Sequence, residues 1–235
     1  MGDQMGFVVP RNRQLSDLLA NASSKELEVL ADIITDGGKG RVALDREVKS
    51  KIVGRRATGT LQSIPEVLIA EIQAFGGNSI VNAFRSGGVS HRELIVDVAR
   101  ELGGKPSDAH DIFDIEQIIL DRAVSKFSPH AGILKGAALL AQTAQIVRNL
   151  LSPGGSFRGF AAKGSVAGMS SFLTKRVLPL TNPTLIATIA GLAIYQVTAP
   201  ASRITVPAVI QIARIRKMRF DKDFAAYTEA LRACL

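Results

Sequence analysis

The groups in this chain that could do chemistry are three histidines, two sets of carboxylates, one glycine-rich run with a lysine, and a single cysteine. His91, His110 and His130 lie about 20 residues apart, with none of the paired spacing that brings two imidazoles onto one metal. His91 follows a serine that caps a helix, and reads as a solvated first-turn residue. Asp111, Asp114, Glu116 and Asp121 offer oxygen ligands, but no loop of ligands at alternating positions accompanies them, so they read as a solvated helix face rather than a cation site. Glu93, Asp97 and Glu101 repeat at i+4, the pattern of a surface acid stripe, and offer a docking face. The run Gly37-Gly38-Lys39-Gly40-Arg41 has the amides and the cation that cradle phosphate. It lacks the full spacing and the following Ser or Thr, and no apolar strand precedes it, so it reads as a helix stop and a solvated loop. Cys234 excludes an internal disulfide and a cysteine-based metal cage, in keeping with a reducing compartment. No nucleophile has a base placed beside it by spacing. The chain is expected to be no enzyme, with no catalytic, cofactor-binding or metal-ligating residue and no cofactor.

Charge is the selective feature. Between Asp121 and Asp221 the chain runs 99 residues without an Asp or Glu, where about nine would follow from its overall acid content, while 13 Lys and Arg fall in the same stretch. Residues 1–127 hold 16 basic and 18 acidic groups; residues 128–235 hold 13 basic and 3 acidic. A surface that meets anionic lipid or nucleic acid selects against acids in this way. The expected organisation is therefore an acidic-to-neutral helical bundle over 1–127 and a basic, apolar helical region over 128–235 with a possible membrane-associating hairpin. The residues expected to contact the membrane or another anion are Lys135, Arg148, Lys175, Arg176, Arg203, Arg214, Arg216, Lys217 and Arg219. Arg214, Arg216, Lys217 and Arg219 spread around a helix axis at 100° per residue, which suits a helix leaving an apolar layer into an anionic surface better than one lying in a DNA groove. Nucleic acid is further disfavoured as a partner because the cations are interleaved with aliphatics, and the chain has no Trp and two Tyr.

The elements that would position these groups are helices throughout, so the fold class is all-α, a multi-helix bundle with a Gly/Ala-rich, acid-free apolar C-terminal half. A weak helix signal covers Gln14 to Asn21. Ser23 with Glu26, Ser63 with Glu66, and Ser90 with Glu93 each make a capping box ahead of an apolar stripe. Paired glycines at Gly37-Gly38, Gly76-Gly77 and Gly87-Gly88 read as helix stops, the turn at Gly76 and Gly77 with a positive φ, and Asn78 caps a short helix to Phe84. Val42 to Arg56 is a charged amphipathic segment, and Asp111 to Phe127 carries Ile112, Ile115, Ile119 and Val124 at helical spacing. Ser128-Pro129 opens a helix expected to run some 23 residues to Leu151, with Gly132 and Gly136 at the small-residue spacing of closely packed membrane helices.

From Val177 to Ser202 there is no charge, yet Pro179, Pro183 and Pro200 are expected to cut the run. The piece left, Thr184 to Thr198, would span about 22 Å, short of the roughly 30 Å hydrocarbon layer. Pro207 is expected to open the last helix. The start of the chain, Met1 to Leu15, lacks the apolar core of a secretion signal and reads as cytoplasmic, with peripheral association at the inner membrane.

Several of these segments resemble a known family. Phe75-Gly76-Gly77-Asn78-Ser79-Ile80 with Asn82 and Arg85, Arg92 to Leu102, Phe113 to Gln117, and Arg203 to Ile212 with Arg216 and Met218 are similar to the bacterial YaaW family, over about residues 15–125 and 200–220. That family is grouped by remote similarity with the ubiquinol–cytochrome c chaperone domain, a helical assembly factor. The resemblance carries no catalytic residue. It implies that Phe75, Gly76, Gly77, Ser79, Asn82, Arg85, Pro207 and Gln211 matter structurally, and that the function is a chaperone-like one. The expected function is a non-enzymatic, membrane-associated binding or assembly factor that docks a protein on its N-terminal bundle and meets an anionic membrane surface. The alternatives are a membrane-perturbing effector in which helices 129–151 and 184–198 insert as a hairpin, and, third, a nucleic-acid-binding protein.

Overall fold

The computed structural model describes residues 9–40, 44–77, 89–152 and 183–234, with side chains from 203 onward in the last span. Among them are eight α-helices and no strand: α1 (Leu15–Ala20), α2 (Ser24–Thr35), α3 (Arg46–Ala57), α4 (Pro65–Gly77), α5 (His91–Glu101), α6 (Ile112–Phe127), α7 (Gly136–Leu151) and α8 (Pro183–Ala233). The protein is all-α.

The local chemistry of the helix starts follows the sequence at α2 and α5. Ser23 and Glu26 close a full capping box, as do Ser90 and Glu93, each satisfying two amide donors that the first turn leaves open. Asp45 and Asp111 cap α3 and α6 by accepting from backbone amides two or three residues on. Ser63 does not cap α4. It lies in a short 3-10 turn, Leu61–Ser63, and donates its hydroxyl to the Thr60 carbonyl, so α4 opens on Pro65, whose fixed φ suits a first turn and whose missing amide costs nothing there. α2 stops where Asp36, Gly37 and Gly38 all take left-handed backbone, with φ of 52°, 64° and 87°.

Two expected boundaries move. Ser128-Pro129 starts only a 3-10 turn, Pro129–Ala131, because Gly132 and Gly136 both take positive φ (66° and 53°) and place a loop between that turn and the 16 residues of α7. Gly132 and Gly136 therefore do not form a helix-packing pair. Conversely, Pro183 to Ala233 is one helix of 51 residues, about 75 Å long, with Pro200 and Pro207 inside it. Of these three prolines, Pro183 alone stands at the helix start. An internal proline forfeits one backbone bond and costs about 3 kcal/mol. Against that, Ile204, Val206, Val209, Ile210, Ile212 and Ile215 of α8 are all buried. At roughly 1.5–3 kcal/mol each, an upper range, their burial outweighs both prolines.

α8 is the axis of the molecule. It packs against α1, α2, α4, α5, α6 and α7, and its residues from Ile204 to Arg216 are buried on nearly every side, as a helix enclosed by others must be. Phe113 meets Phe220 and Glu116 meets Arg216, so α6 runs antiparallel to it. One core of buried apolar residues extends from Leu18 to Ile215, shared by helices from both sides of position 127.

Candidate functional site: the cations of the last two helices

Most of the expected anion-contacting cations can be placed; Lys175 and Arg176 lie outside the described residues, as do Ser79, Asn82 and Arg85 of the family motif. Lys135 is exposed at the position before α7, Arg148 is exposed in its last turn with its guanidinium on the Gln145 side-chain oxygen, and Arg203 is exposed where α8 enters the core. None of these three has a carboxylate partner among the described residues.

The cluster at Arg214 to Arg219 is different, because each member has a partner within the fold. Arg214 is half-buried, donating from Nε to the Leu140 carbonyl (3.1 Å) and from Nη1 to the Gln211 side-chain oxygen (2.5 Å). Burial lowers its pKa, partly offset by the charge of Glu26. Lys217 pairs with Asp221, and Arg219 with Asp223 at 3.1 Å, both one turn along the same helix. Asp223 also accepts from Arg13 at 2.7 Å, which ties the N-terminal arm to α8. Although burial works the other way, the hydrogen bonds and charges of Arg13 and Arg219 hold its carboxyl below the usual range.

Arg216 is no surface residue at all. It is 2% exposed, as is Glu116, and its Nε donates to Glu116 Oε2 at 2.7 Å while its Nη1 donates to the Arg13 carbonyl at 2.6 Å. The other carboxylate oxygen of Glu116 lies 3.0 Å from His91 Nε2, an arrangement in which that nitrogen carries the proton. Neither His91 nor Glu116 is thus on a solvated face; the first turn of α5 and the second of α6 point these groups inward onto α8. Arg216 Nη2 and His91 Nδ1 are buried without a hydrogen-bond partner. A sequence signal for Glu116 existed: by helical spacing it falls between Ile115, Ile119 and Leu120 on the buried stripe of α6, and an acid in such a stripe needs a buried partner. Arg216, next to buried Ile215, is that partner.

The remaining carboxylates and the motif residues have structural work as well. Asp111 caps α6 and accepts from Asn12; its carboxyl sits below the usual range because, against the effect of burial, Asn12, the Asp114 amide and Arg11 favour its charge. Asp114 pairs with Arg11. No group of three or more His, Cys, Asp or Glu side chains among the described residues could hold a metal ion. Phe75 is in the core, and Gln211, fully buried, donates to the Glu26 carbonyl at 3.1 Å, joining α8 to the first turn of α2. Pro207 lies inside α8 among buried neighbours. Gly76 is helical, not left-handed: a Cβ there would stand 2.2 Å from Leu94 Cδ1, so the glycine lets α4 and α5 approach. No helix among the described residues is long and apolar enough to cross a membrane.

Comparison with known proteins agrees with the motifs. No family model and no solved structure matches the chain. It is 28% identical over 113 residues to the UPF0174 protein YaaW of Escherichia coli, from strain K12 and from O157:H7, a match that covers 45% of this chain and 46% of that protein. The chain thus spans about half the length of those curated relatives. It is 27% identical over 184 residues to a UPF0174 protein of Helicobacter pylori strain J99, covering 65% of this chain and 88% of that protein. These matches agree with the resemblance of the Phe75 to Arg85, Arg92 to Leu102, Phe113 to Gln117 and Arg203 to Met218 segments to the YaaW family.

Proposed function

We propose that the chain is a non-enzymatic binding or assembly factor of chaperone-like type, whose N-terminal helices dock a protein partner and whose acid-free half associates peripherally with an anionic membrane surface at the cytoplasmic face. One observation carries the reading. Within a 99-residue stretch lacking any acid, Lys135, Arg148 and Arg203 stand exposed and, among the described residues, without a carboxylate partner. A structural role would have given them partners, as it does for Arg214, Arg216, Lys217 and Arg219. The acidic N-terminal bundle supplies the surface for a protein partner, with Asp97 of α5 exposed on it.

Near an anionic leaflet each basic side chain contributes on the order of 1 kcal/mol, so the three supply roughly 3 kcal/mol, enough for reversible recruitment. The test is co-sedimentation with neutral and with anionic vesicles, for the wild type and for the Lys135→Gln/Arg148→Gln/Arg203→Gln variant. Binding that needs anionic lipid, weakens with salt as screening shortens, and falls about a hundredfold in the variant is the expected result. Equal binding to both vesicle types refutes it. Resistance to salt and carbonate extraction favours the effector that inserts in the bilayer instead.

A further inference from the structure

We infer that the loop Gly132 to Lys135 is the segment that enters the bilayer, with Ile133 as its inserted side chain. This deepens the proposed membrane association and rests on it. Among the described residues Ile133 is 93% exposed, whereas the next most exposed large apolar side chains, Phe224 and Leu231, keep half of their surface covered at 53% and 48%. A lone exposed apolar side chain is ordinary on a protein surface, so exposure by itself decides nothing. What distinguishes Ile133 is how it is held. Gly132 and Gly136 bracket it with φ of 66° and 53°, and a Cβ on either would meet nothing within 4 Å, so the glycines serve the backbone path and not a close contact. That path leaves the isoleucine exposed at the edge of a groove that it lines together with Val124, Leu134 and Leu139.

The charges around the loop select the occupant. Lys135 follows Ile133 by two residues, and Arg122 and Lys126 precede the loop on α6, with no acid between Asp121 and Asp221 in sequence. Asp121 and Lys217 line the groove behind; Lys217 is paired with Asp221, and burial pushes the Asp121 carboxyl up, against the charge of Arg122. A protruding isoleucine with an exposed lysine two residues away to meet headgroups is complementary to an anionic lipid surface, where apolar insertion and electrostatic attraction add.

The chain has no tryptophan, so Ile133→Trp introduces a sole indole reporter at a site that the fold leaves open. With vesicles of phosphatidylcholine and phosphatidylserine, its emission is expected to shift to the blue and to be quenched by brominated acyl chains, with no change on pure phosphatidylcholine. Ile133→Ser is expected to weaken binding to the anionic vesicles roughly tenfold at unchanged helix content. If the full chain sediments with anionic vesicles while the indole remains water-exposed, this inference is overturned and the membrane association stands on other contacts. If the chain sediments with neither vesicle, the proposed function itself fails and this inference with it. A blue shift that grows with protein concentration without lipid identifies a second copy of the chain as the occupant and also overturns it.

Discussion

Replacing Glu116 by Gln removes one charge from the centre of the bundle and leaves its shape. The variant amide can still bond to one of its two neighbours, but the Arg216 guanidinium, 2% exposed and 2.7 Å from the carboxylate in the wild type, is left buried without its counter-charge. Breaking a buried pair from one side costs about 3–5 kcal/mol, because desolvation of the remaining charge is no longer repaid by attraction. A domain of ordinary stability has about 5–15 kcal/mol in total, so Glu116→Gln should reach a large fraction of it. The reverse single change, Arg216→Met, should be milder, since Glu116 keeps its hydrogen bond to His91 at 3.0 Å. The pair is not fully satisfied, Arg216 Nη2 and His91 Nδ1 having no partner. Replacing both members, Glu116→Leu with Arg216→Met, should therefore return the stability to within about 1 kcal/mol of wild type. Urea denaturation at pH 7, followed by far-UV circular dichroism, compares the wild type with the three variants. A Glu116→Gln variant within about 0.5 kcal/mol of wild type at an unchanged slope would refute the reasoning, because it would mean that the two groups are solvated rather than locked together.

Two further outcomes follow from the packing and the ion pairs. Gly76→Val should destabilise by about 1–3 kcal/mol through overpacking, since the new Cβ would fall 2.2 Å from a methyl of Leu94, itself buried; Leu94→Ala should recover part of that loss, and an unchanged melting temperature for the single variant would remove the close-approach argument. Asp223 has its pKa lowered by Arg13 and Arg219 against the effect of burial, so its contribution is fully present above the unfolded carboxylate value of about 4 and is lost as pH falls through the lower folded value. The melting temperature of Asp223→Asn should accordingly lie below wild type at pH 7 and meet it at acid pH, and two parallel curves down to pH 2 would contradict the linkage.

Helix class and most helix starts were legible because they are local. A serine that accepts from an amide three residues on, and a glutamate that reaches back, need nothing from the rest of the chain, and the boxes at Ser23 and Ser90 form as their spacing implies. What was not legible depended on the surroundings. Ser63 loses its capping role to a 3-10 turn and to Pro65. Pro200 read as a breaker and Pro207 as a helix start because propensity is a local measure, whereas the burial that outweighs them comes from six helices gathered around α8. Gly76 read as a left-handed stop from its pairing with Gly77, but the reason for a glycine there lies on α5, in Leu94.

The same divide explains the cations. Composition counts Arg214, Arg216, Lys217 and Arg219 alike, and a run of them without acids nearby in sequence looks like a surface for an external anion. Their partners are remote in the chain or one turn ahead of it: Glu116 lies 100 positions away from Arg216, and Asp221 and Asp223 stand just past the end of the acid-free stretch. An acid-free stretch is therefore two populations of cations with different causes. Those from Arg214 to Arg219 are partnered within the fold, and their loss should read out as stability. Lys135, Arg148 and Arg203 are exposed and meet no carboxylate among the described residues, and their loss should leave stability within about 0.5 kcal/mol, as for other exposed side chains. Measuring the denaturation midpoint of the Lys135→Gln/Arg148→Gln/Arg203→Gln variant separates the two. A large destabilisation would assign these three to the fold as well and withdraw the charge argument for a membrane, whereas an unchanged midpoint with lost binding to anionic vesicles leaves an external anion as the reason they are there.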